Sequence, residues 1–289
     1  MFKTAVLVIW ILRIKKLFRI SIFGFRILRL VNKIYQEVNM SGHSKWSSIK
    51  HKKAALDARK GATYTKVIRE IAAAARQGGG NPDANPALRQ ALAKAKEANM
   101  PSENVERAVK RGTGELPGVS YENVVYEGYG PSGVAIYIEA LTDNKNRTTA
   151  ELRNIFSKKG GNMAGAGSVS WMFQKKGYIL VDKKTIEEDK LMTIVLDAGA
   201  EDMKSEGANY EITCKVQDFE NLKNVLQQKG INTQLAEITM IPASTIKVTG
   251  GDAKQILALA EALEEHEDVQ HVYSNFDIPD EILDQVATE

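Results

Sequence analysis

The spacing of apolar residues changes near residue 116, and this change restricts the fold more than any other feature of the sequence. Before it, apolar side chains such as Tyr64, Val67 and Ile71 recur at intervals of three or four residues, which is typical of an amphipathic helix. After it, short apolar runs of strand length, such as Val134–Leu141, alternate with helical segments. The chain is therefore predicted to join a helical domain to an α+β region.

Four helices are predicted in the first region, which forms a basic helical domain of residues 40–115. Glycines separate the helical segments. Asn85-Pro86 and Met100-Pro101 are typical helix starts, because proline is tolerated in the first turn. The predicted helices are 46–60, 63–77, 86–98 and 102–111.

The α+β region is predicted to contain two domains, one inserted into the other. Residues 176–242 follow the order βαββαβ, which is that of a ferredoxin-like domain. Neither flank of this unit is complete alone, so we expect residues 118–175 and 243–280 to form one discontinuous domain. The predicted fold class is thus α+β multidomain, with an N-terminal helical domain followed by two ferredoxin-like α+β domains.

Apolar runs and turn residues set the bounds of the predicted elements. The inserted unit comprises strand Tyr178–Val181, helix Glu188–Asp197, strands Asp202–Ser205 and Tyr210–Cys214, helix Phe219–Gln228 and strand Gln234–Ile241. The flanks comprise strands Val124–Gly128 and Val134–Leu141, helix Arg147–Lys159, strands Val169–Phe173 and Thr245–Thr249, helix Ala253–Glu265 and strand Val269–Ser274.

Charge is distributed unevenly along the chain. Residues 1–39 carry eight basic side chains and one acidic side chain, residues 40–115 carry fifteen and seven, and residues 116–289 carry sixteen and twenty-eight. The net charges are therefore +7, +8 and −12, in agreement with the total of +3. A basic module joined to an acidic body is typical of a nucleic-acid-binding module whose other domains avoid the same polyanion.

The basic segment 41–76 contains the candidate nucleic-acid-binding residues. Its first helix has few large apolar side chains, so we expect a weakly anchored basic arm. The second helix is expected to present a basic outer face. A solvated helix face is the alternative for the whole segment, and a core anchor is the alternative to base stacking for the tryptophan. The predicted binding residues are Lys45, Trp46, Lys50, His51, Lys52, Lys53, Arg59, Lys60, Lys66, Arg69 and Arg76.

A glycine-rich loop at 158–168 is a second candidate contact. Glycines allow close approach of the backbone to phosphates, and the flanking lysines supply positive charge. A mobile connector is the alternative interpretation. The predicted contact residues are Lys158, Lys159, Gly160, Gly161, Asn162 and Met163.

No sequence motif indicates catalysis, a cofactor or a metal. The chain lacks the Gly-Lys-Ser/Thr end of a phosphate loop, the third glycine of a dinucleotide fingerprint and a GxSxG nucleophile elbow. Its four histidines show no metal-ligand spacing. The single cysteine, Cys214, excludes an intramolecular disulfide and is expected to be a buried thiol. We therefore predict a protein that is not an enzyme, with no cofactor, no metal and no small-molecule substrate.

Residues 1–39 form an atypical basic and apolar extension. The longest apolar run, Ala5–Leu12, is shorter than the roughly twenty residues that span a bilayer, so stable membrane insertion is not expected. A basic amphipathic helix on an anionic membrane and a transit peptide are two open interpretations. A third is that the natural chain begins at Met40, since MSGHSKW has the character of a natural start.

Several stretches resemble the YebC/PmpR family, which is similar to the mitochondrial translational activator of cytochrome c oxidase. They are GHSKWSSIKHKKAALDARKG, GGGNPDANPALRQALAKAKEANMPSENVERAVKRGTG, YEGYGPSGVAIYIEALTDNKNRTTAELRNIFSKKGGNM and DVQHVYSNFDI. The resemblance covers Met40 to the C-terminus, and residues 1–39 depart from the family. It implies a cytoplasmic bacterial protein without catalysis, with a helical domain and two α+β domains. It also implies either a DNA-binding transcriptional regulator or a ribosome-associated factor that binds ribosomal RNA and aids difficult nascent sequences.

Overall fold

The computed structural model of the protein describes residues 60–279, apart from the side chains of residues 60–62 and 206. Predictions for the extension 1–39, for the helix 46–60 and for the arm residues before 60 therefore lie outside the described residues. Within the described range the chain forms seven helices and ten strands. None of these helices is both long and apolar enough to cross a membrane.

The elements confirm the predicted change from helices to a mixture of strands and helices. The helices are α1 (Lys60–Gly78), α2 (Pro86–Glu97), α3 (Ser102–Thr113), α4 (Lys145–Lys158), α5 (Glu188–Asp197), α6 (Phe219–Gln228) and α7 (Gly250–Glu265). The strands are β1 (Glu122–Tyr129), β2 (Ala135–Thr142), β3 (Asn162–Ala164), β4 (Phe173–Asp182), β5 (Ala200–Glu206), β6 (Asn209–Cys214), β7 (Thr233–Pro242), β8 (Ile246–Lys247), β9 (Val269–Ser274) and β10 (Phe276–Asp277).

The first three helices pack around a small core in which Ile71 and Leu88 are fully buried. Asn85 caps α2, because its side-chain oxygen accepts a hydrogen bond from the backbone N–H of Leu88. The same side chain donates to the carbonyl oxygens of Ala74 and Gly79, at the end of α1. One buried amide thus fixes both the end of α1 and the start of α2, which sets the packing of the helical domain.

The first sheet has the strand order β3-β1-β2-β9, and all its neighbours are antiparallel. Helices α4 and α7 cover one face, where Leu152, Phe156 and Ile256 pack on Ile136 and Ile138. Its strand order differs from that of a βαββαβ unit, since β1 and β2 form a direct hairpin. Strand β2 precedes the strands of the second sheet in the sequence, and β9 follows them. The pairing of β9 with β2 therefore joins two segments that are distant in the chain. This pairing supports the discontinuous domain of 118–175 and 243–280, whose bounds remain a proposal.

The second sheet has the order β5-β6-β4-β7, again with antiparallel neighbours. This is the ferredoxin-like order that the βαββαβ pattern predicts. Helices α5 and α6 cover one face of the sheet over a core that includes Ile179, Ile212 and Leu222. Cys214 is also buried there, and burial raises the pKa of its thiol to about 11. Strands β4 and β7 pair along their length from Phe173 and Pro242 onward.

One predicted strand is wrong. Residues 170–172 of the expected strand Val169–Phe173 form a 3-10 turn, and Phe173 begins β4. The third strand of the first sheet is β3, inside the predicted glycine-rich loop. The physical reason is Glu127, whose carboxylate accepts the backbone N–H groups of Val169 and Ser170, so these groups do not bond to a neighbouring strand.

Candidate nucleic-acid interface

The predicted binding residues divide into those outside the described range and those with described side chains. Lys66, Arg69 and Arg76 lie on α1. The predicted loop residues begin at Lys158, the last residue of α4, and continue beyond it. The remaining residues lie outside the described part of the chain. They are Lys45, Trp46, Lys50, His51, Lys52, Lys53 and Arg59, together with the side chain of Lys60.

Lys66 and Arg69 contact the acidic body of the protein. The Arg69 guanidinium donates to Asp268 Oδ1 at 2.5 Å and to Glu267 Oε2 at 3.1 Å. The Lys66 ammonium donates to the carbonyl oxygen of Glu264 at 2.6 Å. The prediction that these residues lie on an open basic face is therefore wrong for Arg69, whose side chain is only 11% exposed. Sequence periodicity placed both residues away from the α1 core, but it did not reveal the acidic end of α7 opposite them. Their part in nucleic-acid binding stays a prediction.

Asp268 is the centre of this contact. Besides Arg69, its carboxylate accepts hydrogen bonds from Arg147 at 3.0 Å, Thr148 at 2.6 Å and Thr142 at 3.2 Å. Burial acts to raise the pKa of Asp268, but the hydrogen bonds from Thr148 and Arg147 and the charge of Arg69 outweigh it. The pKa therefore lies below its ordinary value, and the carboxylate is ionised at neutral pH.

Glu151, His266 and Asp268 offer possible metal-ligand atoms within 4.8 Å of one another. However, His266 Nε2 lies 2.8 Å from Glu151 Oε2, and His266 Nδ1 accepts the backbone N–H of Asp268. Both oxygens of Asp268 already accept hydrogen bonds from cationic or hydroxyl donors. The chemistry of this cluster is therefore that of an ion-pair network rather than a cation site.

A cluster of basic residues lies where α1 and α3 end together. Arg76, Lys110 and Arg111 are exposed, and none of them forms an ion pair with a carboxylate among residues 63–279. Gly112 brings the two helix ends together, since a Cβ at this position would lie 2.4 Å from the Ala72 carbonyl oxygen. Cations here complement the helix dipoles, and they also supply open positive charge for phosphates. We call Arg76, Lys110 and Arg111 the basic cluster.

Sequence reasoning identified only Arg76 of the basic cluster. Lys110 and Arg111 are adjacent to Gly112, and a glycine inside a helix is a signal of close helix packing. The sequence therefore contained this glycine and the basic pair before it. It did not show that α3 packs on the end of α1, which is what brings the basic pair close to Arg76.

The predicted contact loop is partly ordered as a tight turn and a strand. Lys158 ends α4, and Gly160 has a φ of +78°, which favours glycine. Asn162 and Met163 belong to β3 and pair with Tyr129 and Gly128. The side chains of Lys158 and Lys159 are exposed beside this turn. The geometry brings the six predicted loop residues Lys158, Lys159, Gly160, Gly161, Asn162 and Met163 to one edge of the first sheet.

A second turn, at residues 165–172, follows β3. Glu127 is 4% exposed, and its carboxylate accepts the backbone N–H groups of Gly167 at 2.7 Å, Val169 at 2.5 Å and Ser170 at 2.9 Å. Burial acts to raise the pKa of Glu127, but these hydrogen bonds lower it below its ordinary value. Trp171 lies near the end of this turn, and its side chain is 74% exposed. Neither Glu127 nor Trp171 was predicted as a functional residue.

A cavity of about 300 Å³ lies between α1 and the first sheet. Its lining includes the carboxylates of Glu70 and Glu139 and the imidazole of His271. Because the carboxylates repel phosphate groups, the cavity does not suit a nucleic acid. The exposed basic cluster and the turns beside β3 are therefore the better candidates for contact with a polyanion.

Comparison with known proteins gives consistent matches over both regions of the chain. Residues 44–115 match the family described as the TACO1/YebC protein N-terminal domain, and residues 121–276 match the TACO1/YebC second and third domain. A probable transcriptional regulatory protein of Dictyoglomus thermophilum is 53% identical over 249 residues, covering 86% of this chain and 100% of the relative. A protein of the same description from Syntrophobacter fumaroxidans is also 53% identical, with the same coverage.

A solved structure supports the fold. The crystal structure of a conserved hypothetical protein from Aquifex aeolicus is 46% identical and superposes with a TM-score of 0.67. The match covers 78% of this chain and 94% of that one. These findings confirm the resemblance seen in the sequence and the order of a helical domain followed by α+β domains. The chain belongs to the TACO1/YebC family.

Proposed function

We propose that the protein is a DNA-binding transcriptional regulator without catalytic activity, acting in the cytoplasm. The observation that carries this proposal is the basic cluster of Arg76, Lys110 and Arg111, which is exposed and has no carboxylate partner in the described part of the chain. The curated relatives named above as probable transcriptional regulatory proteins support the same function. The predicted arm, residues 41–60, would add further positive charge to the same protein.

The proposed contact is made mainly to phosphates. Guanidinium groups bind phosphate oxygens through paired N–H donors, and lysine adds a point charge. Such contacts position a protein on nucleic acid without reading its sequence. The acidic surfaces of the α+β body, apart from the turns beside β3, would then remain away from the polyanion, because their carboxylates repel phosphates.

A second candidate function is ribosomal RNA binding by a translation factor that aids difficult nascent sequences. The observation that favours it is the start of α3, where Glu103 and Glu106 are exposed. The residues at the start of a recognition helix face base edges and flanking phosphates in the major groove, where two carboxylates are unfavourable. RNA recognition by shape and by unpaired bases needs no such helix.

Binding assays with the full chain test the proposal. We expect Arg76→Ala/Lys110→Ala/Arg111→Ala to weaken binding to promoter DNA and to reduce the slope of log affinity against log salt by about 2.7, since each duplex phosphate contact contributes about 0.9. The matched control is Lys204→Ala/Lys223→Ala/Lys229→Ala, which removes the same charge from exposed positions on the acidic body. Equal slopes for the two triple variants would contradict the role of the basic cluster.

The nucleic acid itself is identified by crosslinking in cells, followed by sequencing of the recovered DNA and RNA. Enrichment of promoter fragments supports the transcriptional proposal. Enrichment of one ribosomal RNA region, with no enrichment of promoters, replaces it with the second candidate.

A further inference from the structure

We propose that Trp171 is a stacking site for an unpaired nucleobase of single-stranded nucleic acid. This inference rests on the proposed nucleic-acid function. It adds the kind of ligand, an unpaired base, that the surface around Trp171 recognises. It is carried by the exposure of the indole, by the contacts that hold it in place and by the charge of the surrounding chain.

The indole of Trp171 is exposed to solvent, yet its position is fixed by a hydrogen bond and by buried neighbours. At 74%, Trp171 is more exposed than any other large apolar side chain among residues 63–279. Yet its Nε1 donates to the carbonyl oxygen of Ser168 at 3.0 Å. On either side, Val169 and Phe173 are 0% and 5% exposed, so the backbone is anchored in the core. The ring face is thus presented to solvent in a fixed position, and a ligand that stacks on it does not have to order it first.

The turn that carries Trp171 is fixed by a buried charge. The Glu127 carboxylate binds three backbone N–H groups of this turn, as described above. The Ser168 carbonyl that accepts the indole N–H also accepts the hydroxyl of Tyr129 at 3.1 Å. Because both side chains donate to this one oxygen, Tyr129, which is 38% exposed, lies near Trp171. The two aromatic side chains are held together by hydrogen bonds to one carbonyl oxygen. Trp171 is therefore part of an ordered aromatic surface and is not an isolated exposed residue.

The charge of this surface is opposite to that of the body around it. Residues 152–181 contain five basic side chains and no acidic side chain, although residues 116–289 as a whole have a net charge of −12. Lys158, Lys159 and Lys175 of this stretch are exposed. The turn at Lys159–Gly161 reaches Tyr129 directly, because a Cβ on Gly161 would lie 2.8 Å from the Tyr129 carbonyl oxygen. Exposed lysines therefore lie on the turn beside the Tyr129 backbone and four residues after Trp171 in the chain.

A flat aromatic face on a segment whose charged side chains are all basic matches the chemistry of a nucleobase between phosphates. The base must be unpaired, since both faces of a base in a duplex are covered by its neighbours. The space beside Gly165 and Gly167 is open, with no heavy atom within 4 Å of a Cβ built there, so a strand can approach the turn closely. RNA and DNA share this chemistry, and the experiment distinguishes them.

The test measures binding of the full-length protein to short oligo(U) and oligo(dT) by fluorescence anisotropy, alongside a duplex and an abasic oligonucleotide of the same length. We expect Trp171→Ala to weaken binding to one or both single strands by about 5- to 150-fold, the effect of losing one stacked base. Trp171→Phe, which keeps an aromatic face, should bind more tightly than Trp171→Ala. Leu196→Ala, at a side chain that is 51% exposed on the second domain, is the matched control and should not change affinity.

The result with each oligonucleotide has a defined meaning for the proposal. Loss with oligo(U) alone identifies RNA, loss with both strands identifies a base site common to RNA and DNA, and loss with oligo(dT) alone identifies DNA. Unchanged affinity of Trp171→Ala for both strands overturns the proposal, as does an equal loss on the duplex or on the abasic oligonucleotide. If the basic-cluster variant loses duplex binding while Trp171→Ala binds all ligands normally, the proposed function stands and stacking fails. If the unaltered protein binds none of these nucleic acids, both fail.

Discussion

The ion pair between Arg69 and Asp268 gives a stability prediction whose size follows from burial. The two side chains are 11% and 2% exposed. Removing one partner of a buried pair costs about 3–5 kcal/mol when the other charge is left uncompensated. Asp268, however, keeps Arg147, Thr148 and Thr142 as donors. We therefore expect Arg69→Ala to lower the free energy of unfolding by about 2 kcal/mol, the contribution of one hydrogen bond to a charged group.

The helical domain offers a matched control. Arg107 pairs with Glu103 one helical turn earlier, and these side chains are 59% and 71% exposed. Exposed pairs at this spacing contribute about 0.3–0.5 kcal/mol. Arg107→Ala removes the same side chain from a helix of the same domain, and we expect it to cost no more than that.

The assay is urea unfolding of the full chain, followed by far-ultraviolet circular dichroism at one ionic strength. Asp268→Asn should cost more than Arg69→Ala, because it removes the buried carboxylate from both Arg69 and Arg147, which keep only the more exposed Glu267 and Asp143. The double variant should lose less than the sum of the single variants, since both remove the same contact. Equal losses for Arg69→Ala and Arg107→Ala, or additive losses in the double variant, would refute the reasoning.

Three further predictions concern pH, the thiol and helix packing. The pKa values of Asp268 and Glu127 are lowered in the folded protein, so the stability that these carboxylates contribute is complete above about pH 4.5 and is lost as the pH falls below that value. Measurements of the free energy of unfolding at decreasing pH should show this loss. The loss should be smaller in Glu127→Gln. The pKa of about 11 for Cys214, against an ordinary 9.0, predicts at least a hundredfold slower reaction with Ellman's reagent in the folded than in the urea-unfolded protein; equal rates would contradict its burial. Gly112→Ala should destabilise the protein by about 1–3 kcal/mol in urea unfolding, because the new Cβ overlaps the α1 backbone, whereas Gly251→Ala, with open space beside it, should be neutral or stabilising.

The second α+β domain was the part of the fold most accessible from sequence. Its strands and helices have distinct apolar periods, and the predicted helix Phe219–Gln228 coincides with α6. The order of six elements in one continuous segment then limits the topology to very few arrangements. The apolar periodicity of each segment agrees with the element that the segment forms in the folded domain. The prediction succeeded for this reason.

The candidate site was less accessible because its properties depend on distant residues. Arg69 is 199 positions from Asp268 in the chain, and no local pattern connects them. Trp171 lies in an apolar run that favours a strand, and only the hydrogen bonds to Glu127 turn that run into a 3-10 turn with the indole outside. A buried carboxylate more than forty residues earlier thus decides the local structure.

The pairing of β4 with β7 affects the order in which the protein folds. The segment between β3 and β8 is about eighty residues long, and closing a flexible loop of that length costs about 4 kcal/mol of chain entropy. Because Phe173 pairs with Pro242, the folded second domain holds both ends of this segment side by side. Once that domain has formed, most of the closure cost is already met when β9 joins β2. Folding of the second sheet therefore assists the pairing of β9 with β2, and a destabilised second sheet should slow the assembly of the first.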